Sequence, residues 1–246
     1  MEHSFIDKYS DLNSIIHRLD PRAKIISLFS YVIIVVLTLP HEFFKFIGYA
    51  VLIFLVVFMS RVPVVYILKR SMVVFPFVFL VVIFVPFYKA DVFQGMYKYS
   101  KFIIVWNVLI KSWLAVLAMT ILTATTKFSI LLKGFEKLKI PKILIMCLSF
   151  MYRYIFVLVD EVQRFERARS SRYFGGKLKR QIKVIANIIG LLFIRTYERA
   201  ERVYQNMISR GFDGKTRTIN NLNFSVFDVF FCFVFLSILL LIKIQG

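Results

Sequence analysis

The sequence predicts an all-α membrane protein with about five transmembrane helices plus long cytoplasmic amphipathic helices. Three observations lead there. Of 246 residues 59% are hydrophobic, 28 are Phe and only 19% are charged, with a mean hydropathy of +0.73. A soluble domain averages about 45–50% apolar and about 25% charged residues, and one water-soluble core of this length would leave large apolar patches in water. The apolar residues fall into long runs broken by short polar turns, as bilayer-spanning helices require. The charge, 33 basic against 14 acidic residues for a net +19, is unevenly placed. Roughly 20 of the basic residues lie between Lys127 and Asn221, which marks that part as cytoplasmic. Disorder is excluded, because it needs low hydrophobicity together with high charge.

The elements follow in order. About two dozen polar residues open the chain, too long an approach for a cleavable signal peptide. Asp20-Pro21-Arg22-Ala23-Lys24 then starts the first span: Asp20 caps it, Pro21 takes the first helical position, and Arg22 and Lys24 sit at headgroup level. Apolar runs Ile25–Leu39 and Phe43–Met59, separated by Pro40-His41-Glu42, form a helical hairpin with Lys24 and Arg61 as snorkelling flanks. A third run, Met72–Phe87, carries Pro76 and Pro86 as kinks. The fourth, Phe102–Ala124, contains Asn107 and Lys111, which should face protein or water.

From Lys127 three helices are expected: Phe128–Leu138, Pro141 to about Arg172, and about Leu178 to Arg210. Gly175-Gly176 closes the second and forms a hinge, while Gly211 suits the left-handed position after the third. Asp160 with Arg164 and Glu198 with Arg202 have favourable i,i+4 polarity. Ile143–Val159 and Val184–Ile194 are apolar enough to resemble spans, but Arg153 interrupts one and the other has only about 11 residues. Both are expected to lie at the membrane interface or against other subunits. Phe224–Leu241 is the last span. The chain thus divides into a four-span membrane part (1–126), cytoplasmic helices (127–222) and a C-terminal transmembrane helix (223–246). The N-terminus is inside and the C-terminus outside.

Catalytic constellations are nearly absent. Cys147 and Cys232 sit inside apolar runs without metal-ligand spacing. His3, His17 and His41 show no paired spacing and read as solvated or capping residues. Asp160 and Glu161 point about 100° apart on a helix and read as pairing partners. Gly214-Lys215-Thr216 imitates the end of a phosphate-binding loop, but Ser209 stands where that loop needs glycine. No catalytic residue, metal site or cofactor is expected. The distinctive feature is an arginine between small residues at each long helix end: Ala168-Arg169-Ser170, with Arg172 shortly after, and Ser209-Arg210-Gly211. Small neighbours admit another backbone, and the guanidinium offers a rigid fork of donors for carboxylates or carbonyls.

At these residues the chain resembles the transmembrane T component of energy-coupling factor (ECF) transporters, cobalt-type CbiQ family. That family carries two Ala-Arg-Gly-like motifs at the ends of its coupling helices, and each motif here replaces one small residue by Ser. Ser171-Arg172-Tyr173-Phe174 also matches Ser209-Arg210-Gly211-Phe212 at three of four positions, so Arg172 competes with Arg169. Ser4-Phe5-Ile6-Asp7 and the segment His17–Lys24 are similar to the family's opening. The resemblance implies a non-enzymatic scaffold in the cell membrane, linking two cytoplasmic ABC-type ATPase subunits to a small substrate-binding membrane subunit. Arg169 (or Arg172) and Arg210, with Ala168, Ser170, Ser209 and Gly211, would dock the ATPases. Cobalt is the implied substrate, with nickel and vitamin systems as alternatives and the metal site on another subunit. A membrane-embedded lipid-modifying enzyme would need a convergent acid, base or nucleophile, and a nucleic-acid binder would use the basic segment. Amphipathic coupling helices account for the same arginines without nucleic acid.

Overall fold

The computed structural model describes residues 14–39, 42–84, 101–171, 178–214 and 224–244, together with residues 9, 10 and 12. All regular structure among them is helical. The helices are α1 (Ile15–Arg18), α2 (Pro21–Leu37), α3 (Phe43–Ser60), α4 (Val64–Ser71), α5 (Phe75–Phe84), α6 (Lys101–Thr125), α7 (Phe128–Lys137), α8 (Lys142–Ser170), α9 (Leu178–Ser209) and α10 (Val226–Ile244). They divide into two units, Met1–Leu138 with Leu222–Gly246, and Lys139–Asn221.

In the first unit α2 is the central helix, packed against α6, α10 and α7. Its fully buried Tyr31 donates a hydrogen bond to the Tyr49 carbonyl of α3 at 3.1 Å. Val35, Ile53, Leu117, Ile121 and Leu239 complete the centre of the core. The other face of α3 exposes Phe44, Ile47, Val51, Leu55 and Phe58, a helical stripe that only lipid can solvate. α3, α8, α10 and residues Val105–Thr125 of α6 are each long and apolar enough to cross a membrane. At 17 residues α2 is about 26 Å long, slightly short of a hydrocarbon core of about 30 Å.

Three lysines tie helix ends together within this bundle. Lys24 is 4% exposed, and its ammonium donates to the His17 carbonyl, the Thr125 carbonyl at the end of α6 and Thr126 Oγ1, at 3.1–3.2 Å. Lys111 donates to the carbonyls of Val36 and Thr38 at the end of α2. Lys45 joins Glu42 to the Lys243 carbonyl at the end of α10. The last carbonyls of a helix lack intrahelical donors and carry partial negative charge, so each cation satisfies a neighbouring helix. Lys24 therefore does not snorkel to the headgroups as expected. Its stem lies in the core because three oxygens meet its charge inside the protein. Lys111 and the buried Asn107 do face protein.

The third expected span opens on a 3₁₀ turn rather than on α-helix. α4 passes through a tight turn at Met72–Val74 into α5. Pro76 has no N–H to donate and its ring crowds the Met72 carbonyl, so the α-ladder yields to a 3₁₀ turn there. Pro40, His41 and Pro86 lie outside the described residues.

The second unit consists of α8 and α9, about 43 and 48 Å long. They touch each other but bury almost nothing: Ile145 is the single buried side chain of α8, and α9 has none among the described residues.

Candidate functional site

At the end of α8, Ser170 Oγ donates to the Arg167 carbonyl at 2.9 Å. Ser171 Oγ donates to the Arg167 and Ala168 carbonyls at 3.0 and 3.2 Å. The Arg167 carbonyl also accepts the Ser171 N–H at 3.1 Å, so these short hydroxyls reinforce the last turn, with half-buried Arg169 in it beside exposed Ala168 and Ser170. Arg172, Gly175 and Gly176 lie outside the described residues.

The end of α9 is built differently. Gly211 has φ +78°, its N–H bonds the Ile208 carbonyl at 2.8 Å, and the Phe212 N–H bonds the Met207 carbonyl at 3.0 Å. This is a Schellman closure, which needs a residue free to adopt the left-handed conformation. Arg210 stands exposed just before that turn, and open space surrounds the position of a Cβ on Gly211. Gly214, also at positive φ, follows this helix rather than a strand.

Between these ends the helices cross. Arg195 of α9 donates to Glu161 Oε1 of α8 at 2.6 Å and lies over the Phe165 ring, 4.9 Å from its centre. Glu161 also meets Arg164 at 3.8 Å, and Glu198 meets Arg202 at 3.9 Å. From the crossing an apolar groove of about 530 Å³ runs along the N-terminal half of α8 and the C-terminal half of α9, walled by Cys147, Phe150, Tyr154, Val203, Met207 and Phe212. The helices are thus antiparallel, and their terminal arginines lie on opposite sides of the crossing. Arg169 is about 12 Å beyond it along α8 and Arg210 about 22 Å beyond it along α9. One compact surface cannot receive both.

The opening motif forms a separate constellation in the first unit. Asp20 Oδ1 accepts the Arg22 N–H at 2.9 Å, and Pro21 occupies the first turn of α2. Arg22 lies 3.7 Å from Asp20 with its side chain mostly buried. Asp228, which sequence reasoning missed, is 4% exposed and accepts the Asp20 N–H and the Ser225 N–H, each at 2.9 Å. Ser225 Oγ in turn accepts the Phe227 N–H at 3.3 Å. The signal was present: Ser225-Val226-Phe227-Asp228 has capping-box spacing at the start of an apolar run. Asp20 and Asp228 both lie within electrostatic reach of Lys24. His17 donates from Nε2 to the Tyr9 carbonyl at 3.0 Å while Nδ1 accepts the Ser14 hydroxyl at 2.7 Å, and burial pushes its pKa below the ordinary value. Among the described residues no group of three or more His, Cys, Asp or Glu could hold a metal ion.

Fold and surface define an all-helical membrane component whose two long helices bury little of their own apolar area. The family model of the cobalt transport protein CbiQ matches residues 12–220, and the chain belongs to that family. Over 234 residues it is 29% identical to the energy-coupling factor transporter transmembrane protein EcfT of Bacillus subtilis (strain 168), covering 87% of this chain and 86% of that protein. The protein of the same name from Lactococcus lactis subsp. cremoris (strain MG1363) is 26% identical over 250 residues, 88% of each chain. That from Clostridium kluyveri is 30% identical over 234 residues, 86% of each chain.

Proposed function

We propose that the chain is the energy-coupling membrane subunit of an ECF-type ABC importer for cobalt, without catalytic activity of its own. It sits in the cell membrane, with the N-terminus and α8–α9 on the cytoplasmic side. Arg169 (or Arg172) and Arg210 each enter a groove on one of two ATPase subunits. The apolar flanks of α8 and α9 receive a small substrate-binding membrane subunit, and Gly175-Gly176 lets the two helices move apart. The observation that carries this reading is the antiparallel crossing, which sets two arginine-tipped helix ends on opposite sides of it, with a bare apolar groove running from it toward the end of α9. Such a pair of levers can take motion from two motors and pass it to one passenger. Contacts across that groove would rest on shape and dispersion, as helix association in membranes does. Cobalt is favoured over nickel or a vitamin because the matching family model is that of a cobalt transport protein.

Charge reversal tests the docking. Arg210→Glu, and separately Arg169→Glu with Arg172→Glu, should each cut co-purification of the ATPase subunits about tenfold or more, the scale of a lost charge-assisted bidentate pair. Membrane insertion should be unchanged. Full ATPase retention and full cobalt uptake by both variants would refute the assignment.

A further inference from the structure

A second basic feature lies in the first unit, away from the helix ends discussed above. α1 rests against the C-terminal end of α3, and between them is an open pocket of about 440 Å³ lined by Ser14, Ile15, Arg18, Phe58, Met59 and Arg61. Both arginines are exposed, and neither joins an ion pair among the described residues. Arg61 holds φ +57° at the end of α3, a position where glycine is the usual choice. Buried Val62 follows it and donates its N–H to Ser60 Oγ at 3.3 Å, which holds the backbone turn that carries Arg61. Phe58 is 86% exposed and ends the apolar stripe that begins at Phe44.

Two forked cations thus cap a continuous greasy track that is as long as α3. A phosphodiester between Arg18 and Arg61 would leave its acyl chains in register with Phe58, Leu55 and Val51. A soluble phosphate would gain nothing from that track, and a neutral lipid would leave net positive charge uncompensated. We propose that this pocket binds the headgroup of one anionic phospholipid, whose acyl chain lies along α3. The site does not depend on ATPase docking or on the transported ion.

Native mass spectrometry of the full chain in non-ionic detergent tests this, with phosphatidylglycerol and phosphatidylcholine as probes. The wild type should retain one phosphatidylglycerol in preference to phosphatidylcholine. An interfacial arginine facing an anionic lipid is worth about fivefold in affinity, so Arg18→Gln with Arg61→Gln should weaken retention by about tenfold or more. Phe58→Ala, an exposed position whose loss leaves the core intact, should weaken it about threefold. Arg61→Lys should recover part of what Arg61→Gln loses. The charge-matched pair Arg180→Gln with Lys183→Gln on α9 should change it by less than about twofold, and soluble glycerophosphoglycerol should not displace the lipid. The proposal is overturned if the control pair loses as much as the pocket pair, since that is diffuse attraction. Unchanged retention in both the arginine and Phe58 variants overturns it as well. So does displacement by the soluble headgroup at equal concentration, which would make this a phosphate site.

Discussion

Lys24 shows how a single side chain can reverse its expected role. A lysine flanking an apolar run ordinarily bends outward to water. Here the His17 and Thr125 carbonyls and Thr126 Oγ1 surround it, so its charge remains inside. Removing it would orphan helix-end carbonyls and withdraw a cation that faces both Asp20 and Asp228. Lys24→Met should therefore destabilise the chain by about 2–4 kcal/mol, measured as a fall in the thermal midpoint of the detergent-solubilised protein. Little or no change would mean that water enters and replaces the ammonium. His17 adds a pH dependence. Burial holds its folded-state pKa below the ordinary value of 6.5, so the unfolded chain takes up the proton first. Stability should be full above that value and fall as the pH drops through it, with His17→Gln flattening the profile between pH 7 and 5. The Ser14 hydroxyl and Tyr9 carbonyl fit the neutral ring with Nε2 protonated, which is the form that is lost.

At the scale of elements, the two long helices reach their ends by different devices, and the difference has consequences. α8 closes with serine hydroxyls on its own carbonyls, which tolerates several residues. α9 closes through Gly211 at φ +78°, which does not. A Cβ there meets nothing within 4 Å, so Gly211→Ala pays only for the left-handed backbone, about 1 kcal/mol. That cost would favour unwinding the turn and re-aiming Arg210. The variant should lose ATPase co-purification several-fold while keeping its helicity by circular dichroism; equal losses in both would point to a folding defect. Much of this level was legible in the sequence. Run boundaries foretold α2, α3, α6 and α10 closely, because lipid burial demands uninterrupted apolar stretches. Pro141 and Gly211 marked where α8 begins and α9 stops. The kink at Pro76 was legible, but the 3₁₀ turn that it takes at Met72–Val74 was not, since a proline alone does not say how the preceding turn adjusts. Nor was the Glu161–Arg195 pair, whose partners stand on separate helices with no local pattern joining them. The Ser225–Asp228 box was readable, but its second acceptor duty toward Asp20 follows only from the packing of α10 on α2.

For the whole molecule, the distribution of apolar surface is the decisive quantity. The first unit has a dense core in which Tyr31, Ile53, Leu117 and Leu239 are fully enclosed. In the second, Leu178, Ile189, Phe193 and Ile143 remain largely exposed, and the Arg195–Glu161 ion pair with its cation–π contact lies at the crossing. Such a pair is worth about 1 kcal/mol at most, too little to hold helices of about 43 and 48 Å in one arrangement. Local opening should therefore be easy in α8 and α9 and rare in the bundle. Proteases that cut after Lys and Arg have sites along both helices, from Arg153 to Arg202. Limited trypsin digestion of the chain purified alone should cleave within residues 142–210 first, leaving a fragment that retains α2, α3 and α6. Co-expression with ATPase and substrate-binding subunits should slow that cleavage about tenfold, while cleavage in the bundle stays unchanged. If α8 and α9 resist trypsin equally well alone, they are rigid without partners, and levers that need companions to hold their shape are the wrong description of this chain.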